Sequence, residues 1–380
     1  MNNIRLVLLI FLFATGFLGY GQRDYKGKVI DAATNKVIPY VNIGIIEKGI
    51  GTVSDEEGHF HLYFQKNEVE TTSIILFSAL GYAPLNISVA EMPLVNNTYP
   101  IFKMIPKRTV LDEVVVSNRG DRFITDFIGY KNYGEKAYGY WKDQVAEGGE
   151  LATRIIAKSG VRRLKRFQFE VLNNPSDSLL LRVNIYEDDG PLGRPNTNLN
   201  KSGKNILVTV KNDDKIVGVD LKPYDIYVEN DFIVSLELLR VFGKKDLGLI
   251  LAAAFNQYGS YRKYASQDKW ERIADQSMAY YLETDLMVSE KLAQRFDKKE
   301  ARKKKKVRTI SGFTLQRGKM VPGVEVTNSR TKDVVFTDTG GRYTIEADKK
   351  DKIYFSKEGY QTRVLTVGDK STANIIMKTK

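Results

Sequence analysis

Two histidines, His59 and His61, stand two residues apart, with Glu56 and Glu57 just ahead of them. Side chains of these types can hold a transition metal or move protons. Alternation along a strand would bring both imidazoles to one face. A zinc hydrolase needs a third fixed protein ligand and an open position, and the chain has no other histidine and no cysteine. We therefore read the pair as solvated side chains and expect no metal and no other cofactor. A Ser-His-Asp triad would have to draw on the same two histidines. The sequence contains no glycine-flanked nucleophile elbow, P-loop or dinucleotide fingerprint. Carboxylate-only glycan hydrolysis needs two carboxyl groups about 5–10 Å apart across a cleft. Glu147, Glu150, Glu170, Glu187, Asp188 and Asp189 are the mid-chain acids available for it. Surface carboxylates are the plainer reading, and we do not expect an enzyme.

Binding signals are softer. Tyr258, Tyr261, Tyr264 and Trp270, in QYGSYRKYASQDKW, could form an aromatic platform for sugar rings if all four were exposed on one face. Large aromatics more often pack in a core. Asp188 and Asp189 open the loop DDGPLGRPNTN, and loops of this kind often carry binding sites. Val114, Val115 and Val116 form an extended run that could add to a sheet edge in a partner, although such runs are also ordinary strands. Residues 298–308, KKEARKKKKVR, place eight basic residues against one acidic, more than half of the net charge of +12. Lys303, Lys304, Lys305 and Lys306 at its centre could meet an anionic envelope surface; a solvated spacer is the commoner meaning of such a run. With the charge concentrated there, nucleic acid is not the expected partner. Arg119-Gly120-Asp121 spells an adhesion tripeptide, too short to weigh.

The elements that would position these residues are mostly strands. A length of 380 residues, 42% of them hydrophobic, suggests two or three globular domains. The stretch PYVNIGIIEKGIGTVSDEEGHF (39–60) is echoed by PGVEVTNSRTKDVVFTDTGGRY (322–343). Pro39 answers Pro322, Asp55 answers Asp338, Gly58 answers Gly341 and Phe60 answers Tyr343, all at one offset. Each Asp can accept hydrogen bonds from the backbone just beyond it, each Gly can take positive φ at the turn's end, and the aromatic residue then enters a core. Gly81-Tyr82 recurs as Gly359-Tyr360. Short strand-like runs punctuated by turns surround both copies, as in small β-sandwiches.

IPYVNI, GTVSDEEGHF and SALGY, and again VPGVEV, FTDTGGRY and SKEGY, resemble the carboxypeptidase-like regulatory domain, a transthyretin-like β-sandwich. The resemblance covers about 85 residues at the front and 70 at the back. It implies a structural or docking module of the kind found in outer-membrane receptors and surface proteins of Bacteroidota-type bacteria. The carboxypeptidase's own catalytic part needs a His-x-x-Glu pair and a distant third histidine, and neither is present. In receptors carrying this domain a segment similar to LDEVVVS (111–117) precedes the plug and resembles a TonB-contacting strand. The middle part looks similar to an uncharacterised sandwich that often accompanies the domain.

We thus expect a mostly β chain. A secretory signal would occupy 1–21, the first regulatory domain 22–108, a connector 109–125 and a larger sandwich or jelly roll 126–288. A charged helix with basic linker would follow at 289–308, and a second regulatory domain at 309–380. Arg5 and the apolar run Leu6–Phe13, followed by Gly19 and Gly21, carry the export reading. The expected role is that of a non-enzymatic exported envelope protein, periplasmic or at the cell surface, with a structural, docking or adhesive task. The alternatives are a carbohydrate-binding accessory of an outer-membrane polysaccharide or TonB-dependent system and the carboxylate hydrolase. An outer-membrane receptor or a surface glycan is the partner these readings imply.

Overall fold

The computed structural model describes residues 22–65, 68–93, 99–107, 121–140, 147–157, 159–243, 248–256, 258–305 and 308–380. The chain is mostly β, with one α-helix among the described residues. It divides into two compact units, residues 1–289 and 290–380.

The first unit begins with a small sandwich of β1 (Gln22–Asp31), β2 (Asn42–Ile45), β3 (Ile50–Val53), β4 (His59–Gln65), β5 (Ile74–Ser78), β6 (Leu85–Ser88) and β7 (Ile101–Met104). One sheet has the order β4-β1-β7 and the other β3-β2-β5-β6. β4 shows why these residues make a sandwich. Phe60, Leu62 and Phe64 point inward while His59, His61 and Tyr63 point out, the period of two that a half-buried strand requires. Phe60, Phe77 and Phe102 pack ring on ring at its centre.

The larger sandwich of the same unit contains β8 (Asp121–Gly129), β9 (Tyr138–Tyr140), β10 (Glu150–Ile155), β11 (Arg162–Asn173), β12 (Ser178–Tyr186), β13 (Ile206–Lys211) and β14 (Ile216–Asp220). It is completed by β15 (Tyr227–Val228), β16 (Phe232–Phe242), β17 (Ile250–Phe255), β18 (Ser260–Lys263), β19 (Glu271–Ile273), β20 (Gln276–Met278) and β21 (Tyr281–Ser289). A six-stranded sheet, β13-β12-β16-β10-β18-β19, faces a sheet built on β20-β17-β11-β21-β8. Leu179, Leu181, Val183 and Ile185 of β12 and Val234, Leu236 and Leu238 of β16 fill the core against Phe167, Phe169, Tyr280 and Leu282. β8 begins at Asp121, so strand structure starts within the stretch expected as connector.

The second unit opens with α1 (Glu290–Lys305). The helix continues through Lys303, Lys304 and Lys305, where a linker was expected; Lys306 lies outside the described residues. The run holds no Gly or Pro until past its end, so nothing breaks the helix earlier. Next come β22 (Thr309–Gln316), β23 (Lys319–Met320), β24 (Glu325–Asn328), β25 (Val334–Phe336), β26 (Arg342–Glu346), β27 (Lys352–Ser356), β28 (Arg363–Thr366) and β29 (Ile375–Ile376). β22 pairs with β26 antiparallel and with β29 parallel, as β1 does with β4 and β7. The other sheet runs β25-β24-β27-β28, matching β3-β2-β5-β6. Asn42 faces Val53 as Glu325 faces Phe336.

The repeated turn is built alike in both places. The Asp55 carboxylate accepts from the backbone N–H of Glu57 and His59 at 3.0 and 2.8 Å. The Asp338 carboxylate accepts from Gly340 and Arg342 at 2.9 and 2.8 Å. Gly58 and Gly341 sit at φ 75° and 69°, a conformation costly to any residue with a Cβ.

The second unit also contains a charge clamp with a pH signature. Asp351 accepts from Arg330 through Nε at 2.7 Å and Nη2 at 2.9 Å, and from Asn328 at 2.9 Å. The Arg330 hydrogen bonds hold its carboxyl down at about 2. A carboxyl depressed in the folded state contributes stability that is complete above its unfolded value of about 4 and lost as pH falls. We expect the thermal midpoint of this unit, followed by amide NMR signals of the full chain, to drop between pH 4 and pH 2. Asp351→Asn should lower the midpoint at pH 7 and flatten that drop; an equal drop in the variant would contradict the assignment.

Candidate functional site

The outer face of the six-stranded sheet is the unusual part of the first unit. Alternation puts Leu180, Arg182, Asn184 and Tyr186 of β12 there, with Ile233, Ser235, Glu237 and Leu239 of β16 and Glu150 of β10. A polar row on a sandwich normally meets water. Here Arg182, Asn184, Glu150, Ser235 and Glu237 are all buried, because the β3-β2-β5-β6 sheet of the small sandwich lies over them.

Arg182 joins the two. Its Nε and Nη2 donate to the two Glu237 oxygens, each at 2.8 Å. Nη1 reaches the Tyr40 carbonyl at 2.8 Å and Asn205 Oδ1 at 3.3 Å, and Nη2 reaches Asn42 Oδ1 at 2.7 Å. All five guanidinium N–H groups are thereby used. Burial raises the Glu237 pKa and Arg182 outweighs it, so the carboxyl stays below its ordinary value. Glu150 beside it takes the Lys263 ammonium at 2.5 Å and hydrogen bonds from Ser235, Asn184 and Tyr186. Burial, then the nearby Glu150 charge, pushes the Tyr186 phenol well above its usual range.

Around this centre the seam is closed by smaller contacts. Tyr40, Val53, Leu180 and Leu239 form an apolar cluster. Gln267 donates to Ser78 at 2.7 Å, the Glu47 N–H reaches the Gln267 carbonyl at 2.9 Å, and the Gly49 N–H meets Asp268 at 3.1 Å. Thr52 donates to Glu147 at 3.3 Å, and burial pushes the Glu147 carboxyl up. Gly44 and Gly51 lie so close to Ser266 that a Cβ on either would collide with its backbone.

Sequence comparison of the two copies holds the signal for this seam in its mismatches. At the offset that matches the turns, Tyr40 answers Gly323, Gly44 answers Thr327 and Gly51 answers Val334. Gly323 takes φ 64° without strain, whereas Tyr40 holds φ 57° with a full side chain, at a cost of about 1–3 kcal/mol. Tyr40 keeps that conformation because its carbonyl serves Arg182, its ring fills the seam cluster and its hydroxyl reaches Glu56 at 2.8 Å.

Two hollows flank the seam. The larger, about 1040 Å³, runs beside the edge strands β3 and β4 and the end of β16, with His59, His61, Tyr63, Tyr99, Glu147 and Arg240 on its walls. His61 pairs with Asp24, and His59 stands 3.9 Å from Asp55. Among the described residues no group of three or more His, Asp or Glu side chains could hold a metal. The smaller hollow, about 260 Å³, lies between the chain around Ser78–Gly81 and the start of β13; Asn42, Asn184, Asn198, Asn200 and Asn205 line it with Arg182 and Tyr186.

The residues expected to bind a ligand fall elsewhere, and the structure does not gather them. Tyr261 is buried, 4% exposed, with its hydroxyl on the Gly193 carbonyl. Trp270 is half-buried with its ring against Tyr186, and Lys263 lies over it at 4.9 Å. Tyr264 is half-buried and receives Arg262, while Tyr258 is 39% exposed beside Tyr130. One exposed plane of four rings is therefore corrected: Tyr261 is consumed in holding the 187–198 loop to the sheet. Asp188 pairs with Arg154 at 2.6 Å. Asp189 accepts from Thr197 through the hydroxyl at 2.6 Å and the backbone at 2.9 Å, bonds that lower its pKa. Both acids fasten their own loop. Of the acids considered for hydrolysis, Glu150 is fully buried, and Glu147 accepts from Thr52 at the seam. Val114, Val115 and Val116 lie outside the described residues.

Comparison with known proteins bears on the small sandwich. Residues 25–116 match the CarboxypepD_reg-like domain. No curated protein matches the chain. Among solved structures, the chain is similar to a variant of BcpA, the major pilin subunit of Bacillus cereus, at 9% identity over 94% of this chain and 99% of that one, with a TM-score of 0.17. It is also similar to the cysteine protease and lectin-like domains of Cwp84, a surface layer associated protein of Clostridium difficile. There the identity is 10% over 72% of this chain and 60% of that one, at a TM-score of 0.29. The T6 backbone pilin of serotype M6 Streptococcus pyogenes aligns at 11% identity over 91% and 80%, at 0.17. Scores this low carry no argument about role.

Removing one partner of a buried pair leaves the other charge uncompensated, at about 3–5 kcal/mol. Arg182→Met should therefore destabilise the first unit by that amount in urea unfolding, and Arg182→Met with Glu237→Leu should restore most of it. Gly51→Val, overfilling the contact with Ser266 at about 1–3 kcal/mol, should expose the small sandwich to limited proteolysis while the large one stays resistant. A Gly51→Val protein with an unchanged digestion pattern would mean that the seam does not depend on that close approach.

Proposed function

We propose that the chain is an exported, non-enzymatic envelope protein whose regulatory-type sandwiches are docking modules. The first docks within the chain. The second, which we take as another copy of the same domain, docks on an envelope partner.

The observation that carries this reading is a contrast between corresponding faces. In the first copy the outer face of β3-β2-β5-β6 is reduced to glycine at positions 44 and 51 and is covered by the large sandwich. In the second copy the corresponding face carries Val334, Phe336, Tyr354 and Val364, which are 49%, 65%, 38% and 53% exposed. Thr327 lies among them, opposite both Val334 and Tyr354. An exposed apolar patch of this kind marks a contact surface. The match at 25–116 supports a non-catalytic domain, and the signal-like residues 1–21 support export. Among the described residues no helix is long and apolar enough to cross a membrane. Periplasm or outer-membrane surface is the location we infer, and an outer-membrane receptor is the partner. Val114–Val116 and Lys303–Lys306 would be secondary contacts, the latter with anionic head groups.

The test is fractionation of the native protein and pull-down at low and high salt. Co-purification of an outer-membrane receptor that survives high salt is expected, because apolar contacts are not screened. Val334→Glu with Phe336→Glu should abolish it without lowering the thermal midpoint of the first unit. Release by salt alone, with no protein partner, would overturn the docking reading and leave the basic run and an anionic surface in its place.

A further inference from the structure

We infer that the smaller hollow at the seam is a binding site for a neutral polyhydroxylated ligand, a single sugar ring or the end of a short glycan. The argument begins with what Arg182 leaves behind. A guanidinium only donates hydrogen bonds. Asn42 and Asn205 must therefore turn their carbonyl oxygens toward it, at 2.7 and 3.3 Å. That fixes which way each amide lies, and their NH₂ groups, which make no hydrogen bond with any other described residue, point away from the guanidinium. Both side chains line the hollow. Two amide donors are thus held in set orientations by a charge that is itself buried.

Asn184 and Asn198 add a second amide pair. Asn198 Nδ2 donates to Asn184 Oδ1 at 3.4 Å, and Asn198 Oδ1 accepts from the Asn200 backbone at 2.8 Å. Ser78 and Tyr186 complete the rim. The wall is rich in amides and poor in available charge. Arg182 has no N–H left, and Glu237 balances it at 2.8 Å. An anionic ligand would meet no free cation there, and a cationic ligand no free carboxylate. The two fixed NH₂ groups call for acceptors, which the hydroxyl oxygens of a polyol supply, and it is the lack of a free cation that disfavours a carboxylate or phosphate here. At about 260 Å³ the space falls below the roughly 300–1,000 Å³ of sites for drug-sized molecules, which suits one ring. This takes up the carbohydrate expectation at a different place from the aromatic run, and its failure would leave the docking reading standing.

The experiment is ligand-observed NMR and titration calorimetry on the full chain. The probes are glucose, galactose, mannose and N-acetylglucosamine, with glucuronate and inorganic phosphate as charged controls. At least one neutral sugar should bind in the millimolar range or tighter, and neither anion should compete. Asn205→Ala should weaken binding by up to about tenfold, the worth of one hydrogen bond. Ala79→Trp, which places an indole at the rim beside the small sandwich's core, should abolish it in a variant that still folds. If the tryptophan variant fails to fold, Asn205→Ala decides alone. Absence of binding for all four sugars at 20 mM (roughly the weak end of the millimolar range), preference for either anion, or binding indifferent to Asn205→Ala would overturn the inference.

Discussion

The first unit depends on one buried cation. Arg182 stands where two sandwiches meet, stripped of water, and its charge is answered by Glu237 on the neighbouring strand. Desolvating both ions carries a penalty that only close geometry and complete hydrogen bonding offset. The surrounding structure supplies both. Tyr40 gives a carbonyl from a backbone conformation that tyrosine rarely adopts. Asn42 and Asn205 give amide oxygens. Asn184 donates to Glu237 at 2.7 Å, satisfying an oxygen that Arg182 shares.

The two small sandwiches are an internal control for what such a seam requires. Each retains the residues that make the fold: the turn-closing Asp55 and Asp338, the left-handed Gly58 and Gly341, the inward Phe60 and Tyr343. Ser54 and Thr337 also correspond. Each hydroxyl accepts from the backbone of the residue opposite it beyond the end of the strand pair, from Val41 at 2.8 Å and Val324 at 2.9 Å. The tyrosine after the second repeated glycine ties down the opposite sheet in both, through Asp31 in one and Gln316 in the other. Among the many positions at which the two copies differ, 40 and 42 are those whose oxygens serve Arg182, and 44 and 51 are those where the first copy comes against the Ser266 backbone. Fold and docking are thus carried by separate sets of residues on the same strands.

This separation explains what could be read from the sequence. Turn chemistry is local, so the phrase around Asp55 announces its hairpin within five residues, and its recurrence announces a second sandwich. The period of two in RFQFEVL and LLRVNIY likewise marks strands. What alternation cannot tell is what lies over the polar positions. Arg182 and Asn184 read as a solvent-facing row because their neighbours Leu181, Val183 and Ile185 are apolar, and the cover comes from residues some 140 positions earlier. The aromatic run failed for the same reason. Tyr261 alternates with Arg262 on one strand, and only the loop folded back over it, through Gly193, makes it interior.

A polar seam has a consequence that an apolar one would lack. Oily surfaces tolerate sliding, since one methyl contact resembles another. A guanidinium with five directed bonds admits one placement, because any shift strands a buried donor at about 1–3 kcal/mol or more. Such networks therefore fix geometry more than they add stability. The same directedness propagates outward. By demanding oxygens from Asn42 and Asn205, Arg182 sets the direction of two amide groups on the wall of the neighbouring hollow. The contact that holds the small sandwich in place is thus also the contact that arranges the polar surface beside it, and neither can be altered without moving the other.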